Sequence, residues 1–297
     1  MTSAPPVTAP VAALPRASRG PLFLTTIPKS GTHLVIEFLK RCGFLRQPIG
    51  EIPLVGDIER RFFHDHHRKD YESALGIALS DVTRAEVDAS HADHLAISRR
   101  LIGALGPGHY GFYHVPHDPG LIDCLRAASV PMILLVRDPR DVAVSLANHI
   151  MRHPEGKKYR TLANLATDEE RYLAVVAGRL AQSEGEFPLL PLAFLFERYE
   201  GWLTEPGVLV MRYEDVIGIH GDGDAIAQIA SYARLADHVG IDIDPASLQA
   251  IVEGIYSENA PFFVNGRLGQ WRRCLTPTLE GAFAQHLGQT IDVWGYR

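Results

Sequence analysis

The sequence predicts an α/β fold in three layers, with a central parallel sheet covered by helices on both faces. Two observations carry this. Short apolar, β-branched runs recur at Leu22–Ile27, Met132–Val136 and Val208–Arg212, and each is followed by turn residues and then a helical pattern. That βα order builds parallel sheets. The runs are also apolar almost throughout rather than alternating, as strands buried on both faces must be.

The elements follow in order. The first 20 residues hold four prolines within positions 1–15 and no Lys or Arg near the start, so a flexible tail is expected rather than a signal peptide. Residues 21–297 are expected to form one domain. The strand Leu22–Ile27 runs into the turn Pro28–Thr32. Thr32 opens a helix whose Leu34, Val35, Phe38 and Leu39 share one stripe and which Gly43 ends. Residues 47–108 are polar and His-rich and are expected to be a helical or irregular cap insertion, followed by a weaker strand at Tyr110–His114. After Met132–Val136 the turn Arg137-Asp138-Pro139 leads into a helix from about Arg140. Residues 151–206 are expected to form a second cap insertion, with Phe194, Phe196, Tyr199 and Trp202 as core. The strand Val208–Arg212 precedes Tyr213-Glu214-Asp215 and a helix over Asp224–Val239. A fifth strand is expected without a position.

Composition narrows the function classes. With 46% hydrophobic and 22% charged residues, the chain is an ordinary globular one, which excludes a disordered chain, a collagen-like fibre and a coiled coil. The 35 acidic against 29 basic residues argue against a general nucleic-acid binder. Cys42, Cys124 and Cys274 are too few and scattered for a disulfide framework or zinc ribbon, so a reducing, cytoplasmic setting is expected. No apolar run approaches the roughly 20 residues that span a bilayer, so no membrane partner is expected.

Pro28-Lys29-Ser30-Gly31-Thr32 sits where open parallel sheets bind ligands, beyond the carboxyl end of a strand. Gly31 permits close backbone approach, the amides of Ser30 to His33 open a helix, and Lys29 adds a full charge. Together they make an anion cradle suited to phosphate or sulfate. A Walker A loop needs two glycines ahead of its lysine, and here the lysine comes first.

Four segments carry a resemblance. PKSGTH (28–33) resembles the 5′-phosphosulfate loop of sulfotransferases that use 3′-phosphoadenosine 5′-phosphosulfate (PAPS). RDPRDVAVS (137–145) resembles their 3′-phosphate motif, and MRYEDV (211–216) their Tyr-Glu-Asp stretch. GRLGQWRRCLT (266–276) is similar to their Gly-rich third segment. The four stand in the family's order. The resemblance implies a P-loop-like fold and transfer of a sulfuryl group to a hydroxyl of a small-molecule alcohol or phenol, leaving 3′-phosphoadenosine 5′-phosphate (PAP). It also implies that Lys29, Ser30, Gly31, Thr32 and His33 hold the 5′ end and that Arg137 and Ser145 hold the 3′-phosphate. A guanidinium grips two phosphate oxygens at once. Tyr213 and Gly266 belong to the same nucleotide site.

In-line sulfuryl transfer needs a cation at the leaving oxygen and a base at the acceptor. Lys29 is the cation. His114, in a segment resembling the one that carries the family's catalytic histidine, is the candidate base; His117 and then His33 follow. No metal is required.

Some positions depart from the family. Leu34 stands where its adenine-stacking tryptophan lies, which leaves Phe262 and Tyr256 as candidates. Val264-Asn265-Gly266 replaces Arg-Lys-Gly, leaving Arg267, Arg272 or Arg273 to supply the missing charge, with Arg267 the nearest. His64-Asp65-His66-His67 is read as a solvated loop or a lining of the acceptor pocket. Phe62, Phe63, Phe112 and Tyr113 are candidates for the acceptor cavity. A glycan or lipid-linked sugar is the alternative acceptor, hinted at by the basic run around Arg152–Arg160. A nucleotide kinase and a non-catalytic nucleotide-binding scaffold are the remoter alternatives. The oligomeric state is left open.

Overall fold

The computed structural model describes residues 20–47, 102–256 and 266–297, apart from 104, 157, 181, 184, 185 and 188. Five parallel strands form one sheet: β1 (Leu22–Thr26), β2 (Leu45–Arg46), β3 (His109–Tyr113), β4 (Met132–Val136) and β5 (Val208–Arg212). Their spatial order is β2-β3-β1-β4-β5. The four strands expected from sequence are present to within a residue or so. The fifth, β2, is a two-residue edge strand with both residues exposed, too short to leave a hydrophobic pattern.

Successive side chains of a strand point to opposite faces, so each central strand feeds two cores. Met132, Leu134 and Val136 enter one cluster, and Ile133 and Leu135 the other. The first cluster packs under helices α3 (Pro139–Met151), α4 (Asp168–Ala177) and α7 (Pro277–Val293), and takes in Phe196, Tyr199 and Trp202. The second packs under α1 (Thr32–Arg41), α5 (Ala225–His238) and α6 (Pro245–Glu253). A further helix, α2 (Pro119–Ala127), follows β3 and joins the first cluster. The layers are therefore helix, sheet, helix, as expected.

Among the helices of nine residues or more, starts follow capping chemistry with one exception. Asp118, Asp138, Asp224, Asp244 and Thr276 each accept a backbone amide of the first turn, and Thr167 with Glu170 forms a reciprocal capping box. Such caps are each worth about 1 kcal/mol. α1 has none: Gly31 occupies its cap position in the left-handed region (φ 82) with no side chain to offer. The exception lies at the carboxyl end of the central strand.

Among the described residues no helix is long and apolar enough to cross a membrane, and no group of three His, Cys, Asp or Glu side chains could hold a metal ion. The tail, His64 to His67, Phe62, Phe63, Phe262, Val264 and Asn265 lie outside the described residues.

Candidate active site

The strand order brings the sequence motifs together. With β1 flanked by β3 and β4, the residues leaving their carboxyl ends converge: Lys29–Thr32 from β1, His114 from β3, Arg137 from β4, and Tyr213 from β5 beyond. Chain order alone would not place His114 and Arg137 on opposite sides of the same loop.

The loop is held in an unusual conformation. Lys29 (φ 71) and Gly31 (φ 82) are both left-handed. For lysine this costs about 1–2 kcal/mol, the kind of strain that clusters at functional sites. Glycine is required at 31 for a second reason, because an added Cβ would run into the Tyr213 ring. The Ser30 amide donates to the Ile27 carbonyl at 3.2 Å, so the open end of the helix begins at Gly31 rather than at Ser30. The Ser30 hydroxyl is fully buried and has no hydrogen-bond partner among the described residues, whereas buried polar atoms are ordinarily paired. An anion with several acceptor oxygens fits that vacant donor, and an apolar ligand does not.

Lys29 is a poised cation. Burial, then Arg137 and then Arg152 lower its pKa to about 8. His33, half-buried in the loop, is lowered by burial first and then by Lys29 and Lys40. His149, one turn beyond Ser145 on α3, is lowered to about 4, by burial first and then by Lys29 and His153. His149 and Arg152 therefore lie within electrostatic reach of Lys29. The i+4 and i+7 spacing from Ser145 was the available sequence signal for both.

On the β3 side, His114 Nδ1 lies 2.8 Å from the Thr26 carbonyl and 3.0 Å from Thr26 Oγ1. A carbonyl can only accept, so Nδ1 carries the proton and Nε2 keeps its lone pair. Burial lowers the imidazole's pKa, opposed by the Thr26 carbonyl bond and reinforced by Lys29 and His33. The lowered pKa and the tautomer together leave His114 Nε2 open to accept a proton. Phe112 meets its ring edge-on at 5.1 Å. His117 turns elsewhere, with Nε2 3.0 Å from Glu205 Oε2 in an ion-pair cluster that includes Arg126.

The β4 and β5 side is denser. Arg137 is buried, pairs with buried Asp141 at 3.3 Å, and donates to the Arg267 carbonyl at 2.9 Å. Its guanidinium stacks 4.2 Å over the Tyr213 ring, and its Nε is buried without a partner among the described residues. Burial raises the Tyr213 pKa to about 12, which keeps the phenol neutral. Asp141 accepts the amides of Gly269 (2.9 Å) and Trp271 (3.1 Å), tying the third segment to α3. Glu214 accepts the Asp138 amide at 2.9 Å and the Tyr296 hydroxyl at 3.0 Å. Ser145 is buried two turns along the same helix.

The candidate arginines sort by partner. Arg272 and Arg140 flank the Trp271 ring, at 4.7 and 4.2 Å. Arg267 and Arg273 both reach Asp222 at 3.8 Å, half-exposed, close to where Gly266 (φ 64) bends the chain. Tyr256 stacks on His220 with ring centroids 4.8 Å apart. Sequence reasoning missed Thr26, the clamping role of Asp141 and the Asp222 pairing. Two adjacent threonines in an otherwise apolar strand were the signal for the first.

A family profile described as "Sulfotransferase domain" matches residues 19–295. The chain belongs to the sulfotransferase family. Two solved structures share its fold. Mouse sulfotransferase SULT7A1 complexed with PAP is 16% identical over 92% of this chain and 84% of its own, with a TM-score of 0.55. A retinol dehydratase in complex with androsterone and inactive cofactor PAP is 18% identical over 91% and 80%, with a TM-score of 0.52. No curated protein sequence gives a significant match. This sulfotransferase keeps an uncapped, left-handed loop at the centre of its sheet, with a histidine on one side and a buried arginine on the other.

Proposed function

We propose that the protein transfers the sulfuryl group of PAPS to a hydroxyl of a small-molecule alcohol or phenol. The observation that carries this is the pairing of a neutral histidine, its Nδ1 committed to Thr26, with a half-buried cation and a serine hydroxyl unsatisfied among the described residues in the adjoining anion cradle. PAPS, when bound, supplies an activated SO3 group on a phosphate leaving group.

The remaining chemistry belongs to the chain. Lys29, Ser30, Gly31, Thr32 and His33 would hold the 5′-phosphosulfate, with the Lys29 ammonium neutralising charge on the leaving oxygen. Arg137 and Ser145 would hold the 3′-phosphate, with Arg267 or Arg273 released from Asp222 to supply the second cation. Tyr213 and Gly266 would line the nucleotide's path, with Tyr256 and Phe262 as candidates to face adenine. His114 Nε2 would take the acceptor's proton. Residues 21–297 are read as one domain, with 47–108 and 151–206 as cap insertions. Three cysteines that form no disulfide among the described residues suit a reducing compartment.

The test is twofold. PAP without metal should raise the melting temperature, because a ligand at 100 times its Kd stabilises by about 2.7 kcal/mol; Mg-ADP should not. Labelled PAPS should pass its sulfuryl group to at least one member of a phenol and alcohol panel. Stabilisation by Mg-ADP alone would point to a kinase. PAP binding without transfer would point to a scaffold.

A further inference from the structure

We propose that Thr26 is a positioning residue that couples the base to the anion cradle through a hydroxyl relay of fixed direction, running from His114 Nδ1 through Thr26 to Thr32. This rests on the sulfuryl-transfer reading above. The geometry is a continuous chain: Nδ1 lies 3.0 Å from Thr26 Oγ1, which lies 2.9 Å from Thr32 Oγ1.

The direction follows from the inventory of donors. The Thr26 carbonyl, 2.8 Å from Nδ1, accepts only, so Nδ1 carries a proton. Thr26 Oγ1 then accepts from Nδ1–H. Thr26 is fully buried, and among the described residues its own proton finds an acceptor only in Thr32 Oγ1, which sets the direction of that bond. The Thr32 hydroxyl has accepted a bond, so its proton is left to point into the cradle, where it begins α1 beside Ser30 and Gly31. Among the described residues Thr32 Oγ1 has no other hydrogen-bond partner.

The surroundings hold the relay rigid. Thr25 and Thr26 are both fully buried. Thr25 Oγ1 donates to the Val115 carbonyl at 3.0 Å and accepts the Val115 amide at 3.2 Å, and Trp202 Nε1 donates to the same carbonyl at 3.2 Å. One threonine thus fixes the backbone after His114 while its neighbour fixes the ring.

The relay matters at the moment of transfer. His114 Nε2 takes the acceptor's hydroxyl proton as the acceptor oxygen bonds sulfur, and the bond from sulfur to the bridging oxygen releases its electron pair to the 5′-phosphate. An imidazolium makes Nδ1–H a stronger donor, and hydrogen-bonded chains polarise cooperatively. The Thr32 hydroxyl therefore becomes a better donor just as the leaving phosphate gains charge. No relay proton changes owner.

The test uses Thr26→Val, which keeps the β-branched shape and the carbonyl, and Thr26→Ser, which restores the hydroxyl. The first readout is the titration of His114 by NMR on ligand-free, histidine-labelled protein. Thr26→Val should lower its pKa, because an acceptor that favours the charged ring is gone; Thr26→Ser should restore it. Thr32→Val, which does not touch the ring, should also lower it, and covers the case in which Thr26→Val fails to fold. The second readout is kinetic: kcat of Thr26→Val should fall about five- to tenfold, the scale of one net hydrogen bond, with PAP affinity within about twofold. Unmoved His114 titration in Thr32→Val overturns the relay, as does a failure of Thr26→Ser to rescue. If wild-type protein neither binds PAP nor transfers a sulfuryl group, the functional reading falls, while the titrations still decide the relay.

Discussion

The two flanks of the loop at Lys29–Thr32 are built from different chemistry. On the β4 and β5 flank, Arg137, Asp141, Glu214 and Tyr296 form a buried network of ion pairs and charge-assisted hydrogen bonds that ties α3, the third segment and the carboxyl terminus together. On the β3 flank there are two threonines and one imidazole, joined by neutral hydrogen bonds. In the proposed reaction the first flank would hold phosphate charge, and a buried guanidinium that stays protonated suits that task. The second would accept a proton. A carboxylate partner would stabilise the imidazolium and protonate the base early, whereas a carbonyl and a hydroxyl orient it without that penalty.

The sharpest way to break this contrast is Asp141→Ala. Removing one member of a buried ion pair strands Arg137 and releases the Gly269 and Trp271 amides, so global stability should fall by about 3–5 kcal/mol. Denaturant unfolding measures it. A loss under about 1 kcal/mol would mean that the third segment is held by packing instead.

His114→Ala tests the other flank. It should cut kcat at least about 100-fold, the usual scale for a general base, with PAP affinity by calorimetry little changed. His117→Gln, whose parent side chain is spent on Glu205, should leave kcat within about twofold, the modest scale of a partly exposed ion pair. Equal losses in both variants would erase the distinction between them.

A milder effect than the loss of His114 is in pH. Lys29 titrates at about 8 in the free protein, and a bound anion favours its charged form. Binding therefore takes up a proton, and PAP affinity should weaken as pH rises through 8, by at most about tenfold per unit. The acid limb of kcat/KM should lie below the ordinary histidine range, because burial lowers the His114 pKa. Affinity that is flat between pH 7 and 9 would remove Lys29 from the anion's immediate surroundings.

Much of the molecule was legible in the chain. Three apolar runs marked β1, β4 and β5, and a weaker pattern marked β3; the signal was plainest for β1 and β4, which are buried on both faces along their whole length. PKSGTH marked the anion loop because glycine and a strand-to-helix turn are local requirements. Edge strand β2 was not legible, since two exposed residues carry no pattern. Asp141 looked like a neighbour of Ser145 on a helix face, and its role as a clamp depends on a segment more than 120 residues away.

The sequence by itself determined the local pieces: which runs become strands, where α1 begins, and which residue types can meet an anion. Those outcomes follow from sterics and periodicity over a few residues. Only the tertiary structure decided that β1 lies between β3 and β4, that Thr26 faces His114, and that Arg137 stacks on Tyr213. The order of parallel strands is set by packing two helical layers onto one sheet. That choice is global, and no single segment encodes it.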